Sequence, residues 1–140
     1  MNNLAGLYES MGRYEEALPR YERALRIDQQ VYGDNHPEIA TDLNNLAALY
    51  HSMGRYEEAL PRYERALAIR EQQLGANHPD TANSWFNLAA LYHQTQRPAE
   101  ALAAIQRAVA IYTQTLGTNH PTTQNALGWL ELIRNFQSQP

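Results

Sequence analysis

The side chains here that could carry acid–base or metal chemistry are five histidines and fifteen carboxylates, because cysteine is absent. That absence excludes a thiolate nucleophile, a disulfide framework and a Cys-ligated zinc. All 11 basic residues are arginine, which excludes a lysine Schiff base as well. His36, His78 and His120 each precede a proline and stand 42 residues apart. A shared metal would need every ligand at about 2 Å. Segments that each span two helices are separated by two layers of roughly 8–10 Å. These imidazoles cannot converge on one ion, so they are read as residues of the loop that starts a helix.

The remaining candidates are weaker. His51 is followed by Ser52, but adjacent residues on a helix do not face each other. No third residue orients that imidazole as a triad requires. The pairs Glu15-Glu16 and Glu57-Glu58 precede apolar helical patterns, where negative charge suits the helix dipole. Glu16 lies four residues before Arg20, and Glu58 before Arg62, the favourable order for surface ion pairs. The seven glycines are scattered, and none forms a phosphate-cradling loop. The expectation is a protein that is not an enzyme and uses no metal and no cofactor.

A repeat positions all of these residues. Residues 2–43 read NNLAGLYESMGRYEEALPRYERALRIDQQVYGDNHPEIATDL, and residues 44–85 read NNLAALYHSMGRYEEALPRYERALAIREQQLGANHPDTANSW. Aligned without gaps, 29 of the 42 positions are identical. Residues 86–127 keep the frame with LAALYH, EAL, RAVAI and LGTNHP, and residues 128–137 fall where a fourth first helix would start. The domain organisation is therefore one array over 1–140, with copies at 2–43 (its first helix truncated), 44–85 and 86–127 and a terminal half-repeat helix at 128–137. Self-similarity at this period signals a stacked architecture.

Each copy reads as two helices. Leu43, Leu46, Ala47, Tyr50 and Met53 recur at three- and four-residue steps, which is one helical face. Gly54 provides the left-handed residue that ends this helix. The second helix is predicted from about Tyr56 to Leu74, with Ala59, Leu60, Tyr63, Ala66, Leu67 and Leu74 inward. Gly75 stops it, and Asn77-His78-Pro79 begins the next helix with proline in the first turn. Pro61 and Pro19 are discordant. Each is expected to remove one backbone hydrogen bond and bend its helix.

The spacing Leu43, Leu46, Ala47, Tyr50, Ala59, Tyr63, Ala66 resembles the tetratricopeptide signature. Met1, Leu4, Ala5, Tyr8, Ala17, Tyr21 and Ala24 repeat it, and Trp85, Leu88, Ala89, Tyr92, Ala101, Ile105 and Ala108 depart only at Ile105. The 42-residue period, with NNLA-LY, YEEAL, YERAL and G-x-NHP, is similar to the repeats of kinesin light chains and of related bacterial proteins. The resemblance implies an all-α fold, a right-handed superhelical solenoid of antiparallel helix pairs with about seven helices, whose first helices line a concave groove. The groove would then present Asn3, Asn44, Asn45, His51, Asn83, Phe86, Asn87 and His93. Asn3, Asn45 and Asn87 form a column. Their amides suit either an extended peptide backbone or bonds within the array, since amide chemistry allows both. The positions Asn2, Gly6, Asn44, Ala48, Phe86 and Ala90 carry no basic residue, so the carboxylate clamp by which some relatives hold chaperone tails is not expected.

The tail departs from the pattern. Leu127 and Leu130 continue the inward face, while Trp129, Leu132, Ile133 and Phe136 form a second apolar stripe. In the repeat frame Trp129 replaces the asparagine column. A terminal helix meant as a soluble cap would be polar there, so these four residues are expected to be an interface patch, covered by a second copy of the chain or by further sequence. The alternative is that Trp129 and Phe136 fold back over the groove of the third copy. Met1 aligns with Leu43, so the chain reads as a piece of a longer array.

A net charge of -4 argues against neutralising nucleic-acid phosphates. No apolar run approaches the roughly 18 residues of a membrane span, and no signal-peptide pattern opens the chain. A cytoplasmic location is the default. The function expected is a protein–protein interaction scaffold that binds a peptide or protein segment in the groove. The alternative is a structural spacer or homo-oligomerisation module, with the C-terminal helix as the contact.

Overall fold

The structure, a computed structural model, describes residues 13–137, which form six α-helices and no strand. They are α1 (Tyr14–Tyr32), α2 (Pro37–Ser52), α3 (Tyr56–Leu74), α4 (Pro79–Gln94), α5 (Pro98–Leu116) and α6 (Pro121–Gln137). The seventh expected helix, with Met1 and Asn3, lies outside the described residues. The helix pairs α2–α3 and α4–α5 begin at Pro37 and Pro79, so the frame 44–85 and 86–127 cuts through the first helix of each pair. A tandem repeat can be cut at any phase; the helix starts set the physical one.

Local chemistry defines these starts. His36, His78 and His120 precede a proline, whose fixed φ suits the first turn. Each imidazole Nδ1 accepts the backbone N–H two residues on, from Glu38 at 3.0 Å, Asp80 at 3.0 Å and Thr122 at 3.1 Å. One otherwise unpaired donor of the first turn is thereby satisfied. The turn after α2 closes with Gly54 N–H on the His51 carbonyl (3.0 Å) and Arg55 N–H on the Tyr50 carbonyl (2.8 Å). Gly54 sits at φ 78, and its counterpart after α4 is Gln96 at φ 60, where glycine would be free of Cβ strain. Pro19 and Pro61 lie inside α1 and α3, each of which is assigned as one helix of 19 residues. Beside Pro61, the Arg62 guanidinium donates to the Glu58 carbonyl at 2.8 Å.

The chain divides into two compact units, one ending at Ile69 and the other starting at Arg70, so that α3 begins in the first and finishes in the second. In the first unit α1 packs on α2, and the centre is Ile39, Ala40, Leu43, Ala66 and Ile69 with Leu25 against them. Ala17, Ala47 and Ala59 are fully buried, and the bulkier Tyr50 and Tyr63 lie buried beside them. In the second unit α5 packs on both α4 and α6, burying Leu88, Leu91, Ile105, Ile111 and Ile133.

The first helices α2 and α4 bury two stripes, not one. Leu43, Leu46, Ala47 and Tyr50 are buried as the periodicity predicts, and so are Asp42 and Leu49. The second stripe recurs at Ser84 and Leu91 in α4 and at Ala126 and Ile133 in α6. It faces the preceding second helix: Arg70 at the end of α3 donates to Ser84 Oγ at 2.9 Å, and Thr123 of α6 donates to the Tyr112 carbonyl of α5 at 3.4 Å. Ile133 is 1 % exposed and therefore leaves the surface patch in which the sequence placed it. Leu127 and Leu130, expected inward, are only half-buried.

Candidate protein-binding site

The residues that shape the surface are set by the turn before each second helix. Arg55 grips Glu58 through both ends of its guanidinium, Nε–Oε1 and Nη2–Oε2 each at 2.6 Å. Arg97 holds Glu100 in the same way (Nε–Oε1 2.7 Å), and Arg13 holds Glu16 (Nη2–Oε1 2.7 Å). The Glu58 carboxylate thus goes to Arg55 and not to Arg62, because a residue in the first turn reaches back most easily to the one just before the helix. These pairs are more than 40 % exposed, so their energetic value is small. Their geometric effect is larger. Arg55 lies over the Tyr50 ring at 4.8 Å and Arg97 over Tyr92 at 4.7 Å, which fixes the exit of α2 and α4 beside His51 and His93.

The two histidines then diverge. In the first unit His51 meets Tyr56 edge-on, with centroids 5.5 Å apart. The residue in register with Tyr56 is Pro98. His93 instead meets Trp129 at 6.1 Å and Phe136 at 5.1 Å, both edge-on, while Phe86 meets Trp129 at 5.8 Å. Four aromatic rings from α4 and α6 thus form one cluster. Edge-to-face contacts of this kind add to the burial of apolar surface. The groove residues Phe86 and His93 and the patch residues Trp129 and Phe136 are brought together in one cluster, the arrangement of the alternative in which Trp129 and Phe136 fold back over the third copy's groove.

This cluster is open on two sides. A cleft of about 280 Å³ is lined by His93, Gln96, Pro98 and Phe136, and another of about 300 Å³ by Gln124, Asn125, Gly128, Trp129 and Leu132. Leu132 and Phe136 are 50 % and 52 % exposed. Asn3 lies outside the described residues. Asn44, Asn45 and His51 are half-buried in the first unit, and Asn87 is half-buried in the second. Asn83 is exposed, but its Oδ1 accepts the Tyr112 hydroxyl, so this amide ties α4 to α5. The Tyr112 hydroxyl is pushed up to about 12 by burial, to which the Asp80 charge adds. Burial lowers the Arg70 guanidinium, against the pull of Asp80.

Sequence reasoning missed the buried polar groups, among them Arg70, Ser84 and Asp42. Asp42 lies in α2. Burial raises its carboxyl to about 8, helped by a hydrogen bond with Asp28 of α1 and by the charges of Asp28 and Glu38. Among the described residues no three His, Cys, Asp or Glu side chains are grouped to hold a metal.

The tetratricopeptide repeat family model matches residues 1–72, 43–114 and 80–138. Among solved structures, the chain is similar to the nearly identical TPR-like repeats of a kinesin light chain-like protein from Podosopora anserina. That match has a TM-score of 0.80 and 26 % identity, covering 98 % of this chain and 73 % of the other. BtubC (BKLC) from P. vanneervenii aligns with a TM-score of 0.70 at 22 % identity, over 98 % of this chain and 63 % of that one. Among curated proteins no match is found.

Proposed function

The chain belongs to the tetratricopeptide repeat family, whose repeats generally serve as non-enzymatic protein-interaction scaffolds, and on that premise we propose that it binds a peptide or protein segment against α4 and α6. The observation that carries this reading is the aromatic cluster of Phe86, His93, Trp129 and Phe136 with a cleft on either side. Ligand sites combine apolar walls with a few placed polar groups, and Gln96, Asn125 and Gln124 supply amides at the rims. Large aromatic side chains are the usual anchors of protein contacts.

The test is capture of segments from a peptide library by the wild type and by Trp129→Ala/Phe136→Glu. Loss of the aromatic anchor is expected to weaken capture by at least about tenfold, since anchor residues carry more than roughly 1.4 kcal/mol. Equal capture by both proteins, with equal helicity, would overturn the assignment. The exposure of Leu132 and Phe136 favours a second reading, self-association through α6. Two half-exposed side chains fall far short of the roughly 800 Å² per partner of a stable interface, which is why the segment reading stands first. Light scattering on the same two proteins decides between them: a wild-type dimer that the double substitution dissociates would favour self-association.

A further inference from the structure

The position that joins one repeat to the next is filled differently at each junction. Residues 28, 70 and 112 occupy one register on the second helices, and residues 42, 84 and 126 one register on the first helices that follow. At the second junction the pair is Arg70 and Ser84, a donor and an acceptor 2.9 Å apart, both buried. At the third it is Tyr112 and Ala126, buried with the tyrosine hydroxyl turned to Asn83. At the first it is Asp28 and Asp42, two carboxyl groups in the register positions that Arg70 and Ser84 fill at the second. Asp42 is 6 % exposed, and its Oδ2 is buried without a hydrogen-bond partner.

An ionised carboxylate can only accept, so a hydrogen bond between two carboxyl groups exists only when one of them carries a proton. Two carboxylates sharing a site cannot both ionise without strong repulsion. The surroundings offer no relief. On its own helix the nearest charge is Glu38, one turn away and of the same sign. From α1 the group facing it is Asp28. The α3 residues in the adjoining core are Ala66 and Ile69, which bring no charge.

We propose that Asp28 and Asp42 form a proton-binding site which holds α1 against α2, so that this junction is tight while one proton is shared and loosens when it is lost. The ligand is a hydrogen ion. The group with the raised pKa is Asp42, at about 8 in the folded chain against 3.8 for an ordinary aspartate. A raised folded-state value means that protonation favours the fold. The resulting stability is fully present below the ordinary value, declines as pH rises through the interval, and is gone above about 8. Between these limits folding takes up about one proton. Because α2 also carries Asn44, Asn45 and His51, loosening it would reach that part of the surface in the same pH range.

The experiment is unfolding by urea from pH 6 to 9, followed by circular dichroism, on the wild type, Asp42→Asn, Asp28→Asn and Asp28→Arg/Asp42→Ser. The last variant copies the second junction. The wild-type midpoint is expected to fall across this range, and all three variants to be flatter and to exceed the wild type at pH 8. Parallel profiles for the wild type and the variants would overturn the proposal. Carbon NMR of the aspartate carboxyls in the wild type gives a reading that no variant's folding can confuse. One neutral carboxyl at pH 6 is the expected result, and two ionised ones at that pH would refute the site.

Discussion

At the scale of single residues, the three loop histidines show how a side chain with catalytic potential is absorbed by a structural task. His78 Nδ1 accepts the Asp80 amide, so that nitrogen must keep its lone pair and the proton of the neutral ring sits on Nε2. Replacing His78 by Ala is expected to destabilise the protein by about 1 kcal/mol, the usual effect of losing a cap, while His78→Asn should preserve most of it. Urea unfolding measures both, and equal losses would show that the lone pair is not what matters. That these histidines start helices was legible from the proline after each one. Which nitrogen is used was not, because it depends on a side-chain rotamer that spacing does not encode. Asp42 was missed, although the sequence holds a signal for it. Aligning the copies sets Asp28 beside Arg70 and Asp42 beside Ser84, and the acidic pair stands out only when the two columns are read together.

At the scale of elements, the predicted span of α3 agrees with the structure, as do its inward residues Ala59, Tyr63, Ala66 and Leu67, while Leu60 and Leu74, also expected inward, are only half-buried. Periodicity reads such a helix well because one face meets its partner. First helices are harder, since α2 packs on a second helix before it and another after it. Their burial covers two adjoining stripes, and the sequence reading took one. Leu49, Leu91 and Ile133 recur at the repeat distance and are all buried, a signal that could have placed Ile133 inside. The neighbouring residue is the control. Ile133→Ala should cost about 2–5 kcal/mol as a fully buried truncation. Leu132→Ala, half-exposed on the same turn, should stay within about 0.5 kcal/mol, as surface changes do. Similar values from chemical denaturation would mean that α6 is turned differently. The meeting of Phe86 and His93 with Trp129 and Phe136 was one of two outcomes the sequence left open, because register alone does not say whether a large ring turns outward or across to its neighbour.

At the scale of the whole molecule, no described helix is long and apolar enough to cross a membrane. The near-identity of the copies suggests interchangeable parts, and the junction pairs contradict that. An in-frame deletion of one period is a form of recombination that a tandem gene undergoes readily, and two such deletions can be made here. Removing residues 36–77 would bring Asp28 against Ser84, an acceptor against a hydroxyl donor, and should leave a cooperative fold. Removing residues 78–119 would bring Arg70 against Ala126, stranding a buried guanidinium without the Ser84 hydroxyl that now receives it. That shortened chain should be the less stable of the two by about 1–3 kcal/mol, the penalty of an unsatisfied buried donor. Thermal unfolding of the two deletions compares them directly, and equal stabilities would show that the junction residues are passive. If they differ, each copy carries a memory of its neighbour, and the order in which copies can be lost or shuffled is restricted by one side chain per joint.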